Sequence, residues 1–290
     1  MNKKQAKIGV SPALLISMYG NQYTPENVCE AMELINSWGF SNIQIEIFDK
    51  EKIPLWLEEG GAKKVRKVQE KLGINISQLV CHLLIDECTS RSSLLSDTHV
   101  DIMKEVVQIG KELNCCDSIT LPIGSFINDV DNKIIDQTII EDLRKDLVNK
   151  VRCLFEPVRE GSYKLAVELL PFNIAGGYSR FSKICDNISP GRLGFLFDTG
   201  HAWVGKEDVV AIPNQFKGKI FGTHLCDNFG DKNMKLAPGK GSIPWKNVIQ
   251  NLKSSMYPGF YDLEIICVPE KVEEIYRLSF EYISSLLTKK

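Results

Sequence analysis

Short apolar runs rich in β-branched and aromatic residues alternate along this chain with longer segments in which apolar residues recur every three or four positions. The runs lie at 7–11 (KIGVS), 42–48 (NIQIEIF), 74–82 (INISQLVCH), 117–123 (DSITLPI), 164–170 (KLAVELL), 193–198 (LGFLFD), 219–226 (KIFGTHLC) and 260–266 (FYDLEII), and each predicts a strand. Between them the helical period is clear. Thr24-Pro25-Glu26, a cap followed by proline, precedes Val28, Met32 and Ile35. Leu143, Leu147, Val151, Leu154, Phe155 and Val158 mark one face of a long helix, and Ile275, Leu278, Tyr282, Ile283 and Leu286 predict the stripe of the last one. Strand then helix, eight times over, is the pattern of a parallel sheet with right-handed crossovers, and eight units close a (β/α)8 barrel. The expected fold is therefore an α/β TIM barrel, with residues 1–290 as a single domain. An open doubly wound sheet is the competitor, but no GxGxxG turn follows the first strand.

Composition narrows the class without naming a function. The chain has 290 residues, 43% of them hydrophobic and 25% charged, which is enough to bury one large core. Its 35 basic and 37 acidic residues set up no global field for nucleic acid or an anionic membrane. No stretch approaches the roughly 18 apolar residues of a membrane span, and the N-terminus reads as a poor signal peptide. The nine cysteines are scattered, several inside apolar runs (Cys81, Cys153, Cys226, Cys267), which suits reduced core thiols and a cytoplasmic location. Cys115-Cys116 is adjacent rather than CxxC and carries little metal or redox signal.

In a barrel of this kind the C-terminal strand ends and the loops after them form the active face. The polar residues placed there are few. Glu46 closes the second strand, His82 the third and Glu168 the fifth; Asp198 and His201 follow the sixth, His224 and Asp227 the seventh, and Glu264 the eighth. Singly, each has an even chance of a structural hydrogen bond. Together they change the balance, because strands such as LAVELL, LGFLFDTG and IFGTHLC are buried on both faces, where an ionised carboxylate needs a cation or hydrogen-bonded partner. Glu168, Asp198, His224 and Glu264 give three carboxylates and an imidazole, an oxygen-rich set suited to one divalent ion, Mn²⁺, Co²⁺ or Mg²⁺, with Zn²⁺ also compatible.

The strand-five glutamate in AVELLP, the DTGH run at 198–201, and HLCDN at 224–228 followed by PGKGSIPW at 238–245 resemble the xylose-isomerase-like barrels. That family includes sugar epimerases, hydroxypyruvate isomerases, inosose dehydratases and endonuclease IV-type AP endonucleases. The resemblance covers nearly the whole chain. It implies that Glu168, Asp198, His224 and Glu264 are metal ligands, with Glu168 and Glu264 also the catalytic acid/base pair. It implies substrate contacts at Glu46, His82 and His201, and Asp227 and Lys240 are grouped with them as candidates in the same loops. The nuclease members carry three zincs, a histidine at the end of strand four, and an aspartate and histidine before the PGxG-like loop. Here those places read TLPIG, Asn233 and Lys235.

A divalent ion that chelates adjacent carbonyl and hydroxyl oxygens acidifies the neighbouring C–H and stabilises an enediolate. Two flanking carboxylates then support epimerisation, aldose–ketose isomerisation, or loss of a β-hydroxyl as in an inosose-type dehydratase. The expected partner is a small carbohydrate or sugar phosphate, with neither nucleic acid nor a membrane favoured. Lys235, Lys240 and Arg180 are candidates for a substrate phosphate or carboxylate. Trp203 and Trp245 lie in active-face loops, with packing beneath the loop the expected role of each, and 84–97 is a polar connection fit for a lid. Members of the family often pair, so a homodimer is compatible with the sequence. A multinuclear zinc phosphodiesterase and a catalytically silent ligand-binding barrel are the competing readings.

Overall fold

The computed structural model describes residues 7–96, 99–114, 118–126 and 137–288. Its strands are β1 (Ile8–Val10), β2 (Asn42–Glu46), β3 (Asn75–Val80), β4 (Ser118–Ile123), β5 (Lys164–Leu169), β6 (Leu193–Asp198), β7 (Ile220–His224) and β8 (Tyr261–Leu263). All eight expected runs form strands; Asp117, the expected start of the fourth, and Cys115-Cys116 lie outside the described residues. The helices are α1 (Ala13–Tyr19), α2 (Pro25–Ser37), α3 (Ile53–Leu57), α4 (Gly61–Leu72), α5 (Arg91–Leu95), α6 (Val100–Leu113), α7 (Gln137–Glu160), α8 (Tyr178–Ile188), α9 (Thr199–Val204), α10 (Ile212–Gln215), α11 (Trp245–Ser254) and α12 (Val272–Thr288).

The strands pair in parallel, in the order β7-β6-β5-β4-β3-β2-β1-β8. Closure comes from Leu225, just past β7, which bridges to Leu263: its N–H donates to Asp262 O at 2.8 Å and its carbonyl accepts from Glu264 N at 3.0 Å. The result is a (β/α)8 barrel. Alternation along each strand sends Ile43 and Ile45 of β2 to the helix layer, both fully buried, and Asn42 and Gln44 into the lumen. The lumen is unusually polar for a packed barrel core. Thr120 on β4 donates to Gln78 on β3, and Gln78 lies over Gly222 of β7, where a Cβ would sit 1.5 Å from its amide nitrogen. A residue with no side chain is required there.

The helix signals read from the sequence hold on α2 and α7. Thr24 caps α2 by accepting from Asn27 N and receiving its side chain in return, with Pro25 at the first helical position. The long face of α7, from Leu143 to Val158, is buried as expected. The stripe expected on α12 is corrected: Val272, Tyr276, Ser279 and Ile283 form its buried side, while Leu278 and Tyr282 are exposed. The reason is Tyr276, a large ring whose hydroxyl donates to Ile265 O at 2.8 Å and so fixes the helix rotation. Cys153, expected in the core, is exposed and Cys267 half-buried; Cys81 and Cys226 are buried, and the described cysteines are free thiols. Among the described residues no helix is long and apolar enough to cross a membrane.

The connection after β3 is ordered rather than an open loop. Residues His82–Cys88 form a 3₁₀ segment and α5 follows, with Leu84, Glu87, Cys88 and Leu94 buried. Lys150 of α7 pins it from below, donating to Glu87 Oε2 at 2.9 Å and to Ser96 O at 2.6 Å.

Candidate metal centre

Four side chains from consecutive strand ends meet at the C-terminal mouth of the barrel. Glu168 is the fifth residue of β5, Asp198 ends β6, His224 ends β7, and Glu264 follows β8 directly. Register places Asp198 beside His224 and Glu168 beside Leu196. One ligand atom from each of the four lies within 4.8 Å of all the others, and all four residues are buried. His224 Nδ1 is 3.0 Å from Glu168 Oε1 and 3.2 Å from Glu264 Oε1. Asp198 caps α9, its Oδ1 accepting from His201 N at 2.8 Å, while its Oδ2 is buried and accepts no hydrogen bond.

The charges show the strain that such a set carries. Burial pushes the Asp198 carboxyl well above its ordinary range, and Glu264 and Glu168 push it further. Burial acts the same way on Glu264, but the Lys235 ammonium and the His224 ring outweigh it and hold Glu264 well below the usual carboxylate range. Glu168 is likewise held low, against burial, chiefly by His224. His224 in turn is raised to about 10: burial disfavours its cation, but Glu264 and Glu168 favour it more strongly. Three carboxylates crowded around one imidazole, with one carboxylate oxygen accepting no hydrogen bond, fit a divalent ion. The donors are those such an ion takes.

The remaining expected site residues fall into two groups. His201 borders the ligand set, and Glu46 and His82 lie where its charges reach them. His201 Nε2 is 3.4 Å from Asp198 Oδ2, and burial lowers its pKa. Glu46 is raised to about 8 by burial, partly offset by Lys235. His82 stacks at 4.8 Å, tilted, on Phe48, has its pKa lowered by burial, and helps line a cavity of about 330 Å³ with Asp86 and His99. Asp227 and Lys240 are not brought to the ligands. Asp227 is fully buried, with Oδ1 accepting from Asn228 N and Ile243 N and Oδ2 from Gly239 N and Trp245 Nε1, so its carboxylate is spent inside its own loop. Lys240 is exposed at the tip of that loop. Arg180 pairs with Glu141 away from the ligands, and Trp245 packs beneath the loop as expected.

Three groups carry weight in roles that sequence reasoning did not assign, Lys235 among them, which stood there as a candidate for a substrate anion. Lys235 Nζ lies 3.0 Å from Glu264 Oε1, a cation built into the site rather than a surface lysine. Cys226 Sγ lies 3.6 Å from both Asp198 Oδ1 and Glu264 Oε2, and the glycine of DTGH is what admits it: a Cβ on Gly200 would come within 2.5 Å of that sulfur. Gln44 Oε1 meets His224 Nε2 at 2.8 Å from across the lumen. The available signal was alternation, since NIQIE and DLE put Gln44 and Asp262 two residues before Glu46 and Glu264 on the same faces. A separate cavity of about 410 Å³, lined by Lys7, Ser118, Lys164 and Phe260, opens at the opposite end of the strands.

Comparisons with known proteins agree with this fold. Solved structures similar to this chain include D-psicose 3-epimerase in the presence of D-fructose, at TM-score 0.73 and 13% identity over 98% of this chain and 100% of that one. The IolI protein with a binding zinc atom matches at TM-score 0.72 and 16% identity, over 98% and 100%. L-ribulose 3-epimerase matches at 0.72 and 14%, over 97% and 94%. At such identities these likenesses speak for the fold alone. An uncharacterised protein, y4fM of Sinorhizobium fredii (strain NBRC 101917 / NGR234), is 23% identical over 138 residues, which is 43% of this chain and 44% of that protein's length. The family model for the xylose isomerase-like TIM barrel matches residues 32–286, and the chain belongs to that family.

Proposed function

We propose that this chain is a metal-dependent isomerase or epimerase of a small carbohydrate carbonyl compound, using one divalent ion held by Glu168, Asp198, His224 and Glu264. The observation that carries the reading is the buried set itself, two glutamates on His224 Nδ1 with Asp198 in the same cluster, its Oδ2 accepting no hydrogen bond. When bound, the ion supplies Lewis-acid polarisation of a carbonyl oxygen and makes the adjacent C–H more acidic. The two glutamates move the proton. Glu264, with the Lys235 ammonium 3.0 Å away, is suited to accept it from carbon, and Glu168 serves the other face. Glu46, a half-buried residue, serves as a polar contact to a substrate hydroxyl. His201 and His82, with pKa values lowered by burial, serve as neutral polar contacts. The epimerase names among the similar structures support sugar chemistry, and the fixed charge of Lys235 beside Glu264 disfavours a second and third divalent ion.

The test is elemental analysis followed by deuterium uptake from D₂O into a panel of ketopentoses and ketohexoses. One ion per chain and exchange at a carbon next to the carbonyl are expected. Glu264→Gln, with metal in excess, is expected to lower exchange by at least about 100-fold. A chain with one ion bound that exchanges no proton on any member of the panel refutes the proton-transfer reading.

A further inference from the structure

We infer that Gln44 is a positioning residue that decides which nitrogen of His224 faces the ion, an inference that rests on the metal reading above. An imidazole presents two nitrogens, and the hydrogen bond made by one sets which of them is free to coordinate. Here Nδ1 points at Glu168 and Glu264, and Nε2 points at the Gln44 amide. An amide can offer that nitrogen either oxygen or NH₂. The other end of Gln44 settles the choice: its Nε2 donates to Asp262 Oδ2 at 2.8 Å and reaches Thr223 O at 3.4 Å. Both of these are oxygen acceptors, so turning the amide over would set its oxygen against two others. Oε1 therefore faces the ring, Nε2 of His224 carries a hydrogen and donates it, and Nδ1 keeps its lone pair for the ion once its own proton has left.

The arrangement reaches across the barrel. Gln44 on β2 meets His224 on β7 through the lumen and is fully buried, as is Asn42 two residues earlier. Asn42 Nδ2 donates to Asp262 Oδ1 at 2.7 Å, so the carboxylate that orients Gln44 is itself held from the same strand. Residue type is constrained. Asparagine is a methylene shorter, and glutamate would place a second carboxylate 2.8 Å from Asp262. Glutamine alone joins an acceptor for the ring to a donor for the acid at that reach.

The inference predicts the outcome of a charge swap. In Gln44→Glu paired with Asp262→Asn, the introduced amide donates to the introduced carboxylate, whose second oxygen still accepts from the ring, so the hydrogen-bond polarity toward His224 survives. In Gln44→Met the volume is kept and the polarity is lost. Zn²⁺ alone is the probe, with its Kd measured by chelator competition and the histidines followed by ¹⁵N NMR in the zinc-loaded chain. Wild type is expected to take one zinc with Nε2 of His224 protonated and Nδ1 coordinated. Gln44→Met is expected to raise the Kd about 10- to 100-fold, and the double variant to fall within a few-fold of wild type while Gln44→Glu alone does not. A zinc-loaded wild type with Nδ1 protonated overturns the inference whether or not any variant folds. So does a Gln44→Met chain that binds zinc within twofold of wild type. A wild type that takes up no stoichiometric zinc overturns the metal reading, and the inference falls with it.

Discussion

Changing Asp227 to asparagine keeps the shape of one buried side chain and reverses the polarity of one of its two ends. The carboxylate accepts four N–H bonds, from Asn228 and Ile243 at one oxygen (2.9 and 3.2 Å) and from Gly239 and Trp245 at the other (2.8 and 2.7 Å). Whichever way the new amide sits, its NH₂ confronts two donors, and both lose their acceptor. A hydrogen bond to a charged group contributes about 1.5–3 kcal/mol, so two of them come to roughly 3–6 kcal/mol, and the remaining pair weakens as the charge goes. Against a whole-protein stability of about 5–15 kcal/mol this is a large fraction. Urea denaturation followed by tryptophan fluorescence reads it directly. Trp245→Phe, which deletes one of the four donors, is expected to cost about 1–2 kcal/mol in the wild-type background and less beside Asp227→Asn, because the two changes share one bond. A loss below about 1 kcal/mol for Asp227→Asn, joined to selective loss of substrate binding, would refute the loop-anchor account and return Asp227 to the substrate.

Two further outcomes follow from charges away from the ligands. Lys150 and Glu87 form a buried pair at 2.9 Å beneath the connection after β3, with the His99 ring on the other carboxylate oxygen, so Lys150→Met leaves Glu87 to His99 alone and is expected to cost about 3 kcal/mol by thermal or urea unfolding; Lys150→Met with Glu87→Leu should recover part of it, and a single variant as stable as wild type would contradict the account. Glu46 is raised to about 8 in the folded chain, so between the ordinary glutamate range and pH 8 the unfolded chain has lost a proton that the folded one keeps. Stability of the metal-free wild type therefore falls as pH rises through that window, relative to Glu46→Gln, and the gap between the two should widen from pH 5 to pH 8 and then level off; a gap independent of pH would show that the carboxyl titrates normally.

What was legible in the sequence was whatever buried apolar flanks make expensive. Glu168, Asp198, His224 and Glu264 stood out because an acid or imidazole inside LAVELL, LFDTGH or DLEII has to be compensated, and compensation by a common ion explains all four at once. The same reasoning misplaced nothing on the strands, where alternation fixes direction. It ran out in the loops. Asp227, three residues beyond His224, has the sequence signature of a ligand, and nothing local distinguishes an acid that faces the site from one that turns back onto its own backbone N–H groups. On α12, Leu278 and Tyr282 are as apolar as the residues that are buried, and the rotation was set by a tyrosine hydrogen bond that periodicity does not register. Gln44 was invisible for another reason: its partners, His224 and Asp262, are 180 and 218 residues away, and a single glutamine in a strand reads as an ordinary polar position.

The two readings of Asp227 are connected through the backbone. Its N–H donates to Leu236 O at 2.8 Å and its carbonyl accepts from Leu236 N at 3.0 Å, an antiparallel bridge that ties the far arm of the loop to the end of β7. Lys235 precedes Leu236, and its own carbonyl accepts from Ile266 N at 3.1 Å, on the segment after β8. Its backbone is held on both sides, with φ at 47°, and its ammonium reaches Glu264 at 3.0 Å. The four bonds that occupy the Asp227 carboxylate thus fold the loop that delivers the cation keeping Glu264 ionised. Loss of Asp227 is therefore expected to loosen the loop that carries Lys235 and, through it, to weaken the charge pairing at Glu264.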